Sequence, residues 1–113
     1  MSDNQNYANV SIASDSLGAT LTGASYGVSK FVTGTIQAAW TGTPTGNFTI
    51  QVSNDADNAT PTNWTTLPSS TQAAGGGVGS YVWYLDTIGY AHVRFVYTRS
   101  SSTGTVTARF VGK

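Results

Sequence analysis

Gly23-Ala24-Ser25-Tyr26-Gly27 has the spacing of a nucleophile elbow, and Asp86 and His92 follow it in the order of a hydrolase triad. Such an elbow works on a strained turn from a parallel strand into a helix. No helical periodicity follows this segment, so the match reads as an accident of a chain rich in Gly and Ser. His92, the single histidine, alternates with Val93 and is expected on a solvated strand face. Asn54, Asp55, Asp57 and Asn58 gather oxygen ligands in one loop, as a hard cation requires. The downstream Gly and bidentate Glu of a calcium loop are missing, and the chain has no Glu anywhere. Asn and Asp also close turns with their own side chains, so the expectation is a turn, with no metal and no cofactor. Gly75-Gly76-Gly77-Val78-Gly79 is followed neither by Lys-Ser/Thr nor by a helix. It reads as a mobile connection rather than a phosphate cradle.

Three Trp and six Tyr could stack on sugar rings. Parity assigns Trp40 to an inward face, and Trp83 with Tyr81 and Leu85 to another; Tyr84 then points outward and Trp64 stays open. Core packing is the first reading of these residues and a host-surface glycan site the second. The sequons at Asn9, Asn47, Asn58 and Asn63 reflect an abundance of Asn and Thr. The opening MSDNQNYANV has neither a basic nor an apolar region, so no signal peptide is expected.

The elements that must carry these residues follow from composition. A chain of 113 residues is one domain's worth, and without cysteine it must rely on a hydrophobic core. Its formal charge is zero, which disfavours nucleic acid as a partner, and no apolar run approaches the roughly 20 residues of a membrane helix. Charged residues make up 9%, against about 25% in an average domain. Thr, Ser, Asn and Gly must therefore supply the polar surface. Thr suits a half-buried pleated face, and no window has apolar spacing near 3.6 residues. The class is all-β: an antiparallel β-sandwich, jelly-roll-like, of about seven to eight short strands, with an up-and-down barrel as the alternative. So weakly charged a surface offers little repulsion to association, and a homo-oligomer is expected.

Residues 1–29 read as an arm or edge strands, and 30–113 as the sandwich domain. Tyr7, Val10 and Ile12 are candidate anchors to a neighbouring subunit, the first 15 residues being ordered by that contact. Ile36, Ala38 and Trp40 alternate inward, as do Phe48, Ile50 and Val52. If the link TGTPTGN is a hairpin, Trp40 opposes Phe48. The same logic sets Val93, Phe95 and Tyr97 against Phe110, Ala108 and Val106. It also places Arg94 opposite Arg109 on the outer face, where the pair would bind a carboxylate of a partner such as Asp15, Asp55 or Asp57 of another subunit. TGTIQAAW (33–40) and TGTVTARF (103–110) echo one another, which suggests strands in similar environments, in facing sheets.

From Trp40 onward, WTGTPTGNFTIQVSND, then Trp64 and Leu67-Pro68, then a Gly-rich stretch and AHVRFVYTRSSSTGTVTARFVGK form a recognisable order. The most specific pieces are Trp40-Thr-Gly-Thr-Pro44, Ser53-Asn-Asp55, Tyr97-Thr-Arg99 and Phe110-Val-Gly-Lys113. This resembles small β-sandwich structural proteins of tailed bacteriophages over about two-thirds of the chain; residues 1–29 match nothing in it. The resemblance implies a non-enzymatic virion component: a capsid decoration, head-fibre or tail accessory protein. Other virion proteins of the capsid or tail would be its partners, and the virion, after synthesis in the host cytoplasm, its location. No catalytic residues come with it. A carbohydrate- or receptor-binding module on the same particle is the alternative.

Overall fold

The computed structural model describes residues 7–113. The strands are β1 (Ala8–Ser16), β2 (Leu21–Thr22), β3 (Tyr26–Gly27), β4 (Gly34–Gly42), β5 (Asn47–Ser53), β6 (Thr65–Thr66), β7 (Gln72–Ala73), β8 (Gly79–Leu85), β9 (His92–Thr98) and β10 (Gly104–Gly112). All pairings are antiparallel. One sheet runs β1-β10-β4-β8. In the other, β9 and β5 are central, β2 and β3 both pair with β9, and β6 and β7 both pair with β5. Counting each of these short couples as one interrupted strand leaves two facing sheets of four. Every connection then crosses between the sheets except the one from β5 to β6. That is the strand order of a jelly roll, the expected class.

The pleat puts side chains of opposite parity on opposite faces, and the inward sets meet in the core. Ile36, Ala38, Trp40, Phe48, Ile50, Val93, Phe95, Tyr97, Val106, Ala108, Phe110, Trp83 and Leu85 are all buried. Phe48 is the hinge of the aromatic cluster: it touches Trp40 from the opposite sheet and Phe95 and Tyr97 from its own. Trp83 closes edge-on against Phe95 across the layers.

Both expected hairpins are instead arches between the sheets. β4 pairs with β10 and β8, while β5 pairs with β9. Trp40 is laterally opposite Val106, and Phe48 opposite Tyr97. The cause lies in TGTPTGN. Gly42 takes φ +82° beside Gly104, the Pro44 ring is fully buried, and Gly46 passes so close to Thr98 that a Cβ would sit 1.9 Å from its carbonyl oxygen. Gly46 N donates to the Tyr97 hydroxyl at 3.1 Å. The chain thus leaves one sheet beside β10 and enters the other beside β9. The link 99–103 makes the same crossing next to it, with Ser102 at φ 67°. The two arches are tied by Thr43 Oγ1 to Ser102 Oγ and by Ser101 N donating to Thr45 Oγ1 at 2.9 Å.

The echoing segments are neighbours in one sheet rather than members of facing sheets. β4 and β10 pair about Ala38↔Ala108, with Ile36 opposite Phe110 and Trp40 opposite Val106. A repeat run antiparallel to itself thereby sets large residues against smaller ones.

The amino-terminal segment is intrinsic structure. β1 pairs with β10 from Ala8↔Gly112 to Ser16↔Thr105, with a register shift between Ser11 and Ala13 that leaves both Ile12 and Ala13 buried. Leu17 and Val28 are fully buried as well. The expectation that the first 15 residues are ordered by a neighbour is thus corrected for 8–15. Its share in residues 1–6 lies outside the described residues. The bulge breaks the alternation on which strand recognition depends.

Candidate interaction surface

The long central strands aim their outward residues at two separate faces. Arg94 and Arg109 lie on different faces, so they form no pair: Arg94 is opposite Gln51 in one sheet, and Arg109 opposite Gln37 and Ser11 in the other. The expected like-charge pair fails because β9 and β10 belong to different layers.

Arg94 is held locally. Its Nε donates to Gln51 Oε1 at 2.8 Å, and its guanidinium lies 4.2 Å over the half-buried Trp64 ring. Desolvation pulls its pKa below the ordinary guanidinium value, and it remains a cation. Arg109 is exposed; its Nε donates to Asn9 Oδ1 at 2.8 Å and Nη2 to the Asn9 carbonyl at 3.3 Å. Trp64, left open by parity, is therefore spent on Arg94. Trp40 and Trp83 donate their indole N–H to the carbonyls of Ala74 and Ser70, pinning the 68–76 segment over the core.

That segment is built into the core. Ser70 and Ala74 are buried, and Ser70 Oγ bonds both the N–H and the carbonyl of Ile50, at 3.2 and 3.3 Å. Ser70 and Ala74 thus belong to the core, while Gly75, Gly76 and Val78 beyond them are exposed. Gly75 and Gly76 take the positive φ that glycine supplies cheaply.

The oxygen-rich loop folds around Asp55. Asp55 Oδ2 accepts from Thr62 N at 2.7 Å and Asn63 N at 3.0 Å, while Oδ1 accepts from Asn63 Nδ2 at 3.1 Å. These bonds, that from Thr62 first, hold its carboxyl down at about 2. Asp57 accepts from Ser29 Oγ at 2.9 Å. Both carboxylates are thus engaged by protein donors.

His92 is buried at 5% exposure rather than solvated. Carbonyls only accept, so its Nε2 carries the hydrogen and donates to those of Asp55 and Ala56, at 3.1 and 3.2 Å. The loop folds over the strand face that parity had assigned to solvent. Gly27 is directly opposite His92 in the ladder, so the Gly23–Gly27 segment is the edge of a sheet and not a strand-to-helix elbow.

Of the anchors expected on the arm, Ile12 is 3% exposed and Val10 is half-buried against the core, so both are occupied within the chain; Tyr7 is 63% exposed. Ile12 fails as an interface anchor because the β1 ladder turns it inward.

Beside Asp55 lies a groove of about 410 Å³ walled by Asn54, Asp55, Asn63, Thr65 and the half-buried Tyr90, whose hydroxyl burial pushes up to about 12. The outer face of the β1-β10-β4-β8 sheet is of another kind. Its rows read Asn9–Val111–Thr35–Tyr84, Ser11–Arg109–Gln37–Val82, Ser14–Thr107–Ala39–Ser80 and Ser16–Thr105–Thr41. Among the described residues Arg109 is the one charge in these rows, and Asp86 and Lys113 border the first of them. Composition announced a Thr/Ser surface; only the register shows that it forms one panel.

No protein-family model matches the chain, and no curated protein matches it either.

Proposed function

We propose that this chain is a non-enzymatic structural protein of a tailed-phage virion, docking to other particle proteins and to its own copies. The observation that carries this reading is the outer panel of the β1-β10-β4-β8 sheet, whose rows present Thr, Ser, Asn, Gln, Ala, Val and Tyr with Arg109 as their one charge. A face meant only for water normally carries mixed charges over about 25–35% of its residues. A panel with so few charges loses little on being covered, because hydroxyl groups trade water for a partner's donors and acceptors at small net cost. The jelly-roll order and the resemblance carried by Trp40-Thr-Gly-Thr-Pro44 and Phe110-Val-Gly-Lys113 point the same way, jelly rolls being common in capsid and lectin domains. His92 and Asp55, the residues best suited to acid–base work, spend their bonds holding a loop, which favours a non-enzyme.

The test is particle composition. Purified virions from a lysogen or infection encoding the chain are expected to contain it in a fixed, symmetry-related ratio to the major capsid or tail protein, by quantitative mass spectrometry. Its absence from particles overturns the assignment.

A second reading, a glycan- or receptor-binding module on the particle, is favoured by the groove beside Asp55, where amide, carboxylate and hydroxyl groups meet an aromatic ring. Selective signal from the purified protein on a glycan array, abolished by Tyr90→Ala, would support it.

A further inference from the structure

Three of the four sheet edges are guarded against further pairing. β2 with β3, and β6 with β7, offer two residues at a time. β1 carries a register shift between Ser11 and Ala13, and a charge at Asp15. β8 has no such device. Gly79–Leu85, GSYVWYL, is seven residues long, free of charge and of Pro, and regularly paired with β4 along one side. Among the described residues no strand pairs with its other side. A long, uncharged edge is a template for another strand, and natural proteins either blunt such edges or cover them.

The side chains at this margin are also incompletely covered. Tyr81 shares inward parity with Trp83 and Leu85, which are 5% and 3% exposed, yet it is itself 40% exposed. The facing layer is thin here, since Trp83 reaches the link between the two-residue strands β6 and β7. On the outward side Tyr84 is 72% exposed.

We infer that β8 pairs antiparallel with β8 of a second copy of this chain, about a two-fold axis through Val82, joining two four-stranded sheets into one of eight. Full overlap of the seven residues puts Val82 on the axis. Ser80 then faces Tyr84 of the second copy, and Gly79 faces Leu85, small against large. Tyr81 meets Trp83 of the second copy on the inner side, which covers the exposed ring. The axis is perpendicular to the sheet, so inward faces stay inward and the outer panels become continuous.

The occupant is a second copy because the edge is self-complementary under this operation. The strand has no charge to set against itself, and Asp86, just beyond it, falls beside Val78 of the second copy rather than another acid. The inference rests on the assembly reading above only in its expectation of self-association; particle composition is measured separately.

The test uses the full chain in sedimentation equilibrium. The parent is expected to be dimeric. Val82 is half-buried on the outer face, so Val82→Lys should keep the β-spectrum while placing two ammonium groups at the axis, weakening the dimer by at least about tenfold. Thr107→Lys, on the same face but on β10, should stay dimeric. Because the chain has no cysteine, Val82→Cys should form a disulfide-linked dimer under mild oxidation and Thr107→Cys should not. A parent that stays monomeric into the high micromolar range, a dimer indifferent to Val82→Lys, or a foreign strand found on β8 overturns the pairing. A monomer that still occurs in particles would leave the virion reading standing; a β8 dimer absent from particles would do the reverse.

Discussion

Trp40 and Phe48 meet across the two sheets, not along one, with ring centroids 4.6 Å apart and planes tilted by 42°. Each sits in a different layer, so the contact clamps the sheets together where the chain arches from β4 to β5. Trp40 also donates to the Ala74 carbonyl, which ties a loop to the same point. Replacing Trp40 by Ala opens a cavity and orphans that carbonyl, at a cost of about 3–5 kcal/mol in chemical denaturation. A melting temperature within a degree or two of the parent would contradict this burial.

Ser70 is the polar counterpart of that clamp. Its buried hydroxyl bonds both backbone groups of Ile50 between β6 and β7, joining Leu67 N at the carbonyl and supplying the acceptor for the N–H. Ser70→Ala is expected to cost about 1–3 kcal/mol, because it leaves the buried Ile50 N–H unpaired while the Ile50 carbonyl keeps the Leu67 N–H at 2.8 Å. Amide exchange at Ile50 should rise with it. Unchanged exchange there would show that water replaces the hydroxyl.

The Asp55 clamp sets a pH dependence for its loop. Its carboxyl is depressed from 3.8 to about 2, so the stabilising contribution is fully present above the unfolded value and is lost as pH falls through about 2. The amides of Thr62 and Asn63 should report a titration near 2 by NMR, absent in Asp55→Asn. A midpoint near 4 would mean that the clamp is not formed in solution.

Arg94 and Trp64 should be coupled energetically. A double-mutant cycle with Arg94→Ala and Trp64→Ala is expected to give about 0.5–1 kcal/mol, the size of a partly exposed cation–π contact. Additive single effects would show the stacking to be incidental. Arg94 and Arg109, by contrast, should be additive, since they occupy opposite layers.

Removal of residues 1–16 should destabilise the domain rather than merely release an anchor. It strips β1 from β10 and takes Ile12 and Ala13 out of the core. A drop of several degrees in melting temperature is expected. An unchanged melt would return this segment to the status of a docking arm.

The sequence by itself determined the class and which residues face the core. Ile36, Ala38 and Trp40, Phe48 and Ile50, and Phe95 and Tyr97 alternate with period two, and the pleat turns that period into sidedness without reference to any partner. Charge scarcity likewise foretold a surface of Thr and Ser. Partnership was decided only in three dimensions. Alternation is identical whether the next strand lies alongside or across the core, so TGTPTGN and RSSST read equally as hairpin turns. What made them arches is non-local: Gly46 had to pass the Thr98 carbonyl, and Pro44 had to be buried. The fate of His92 was hidden for the same reason, since a loop 36 residues upstream covers it. Sidedness is a property of the local backbone. Register, layer and exposure belong to whichever distant segment arrives to pack against it.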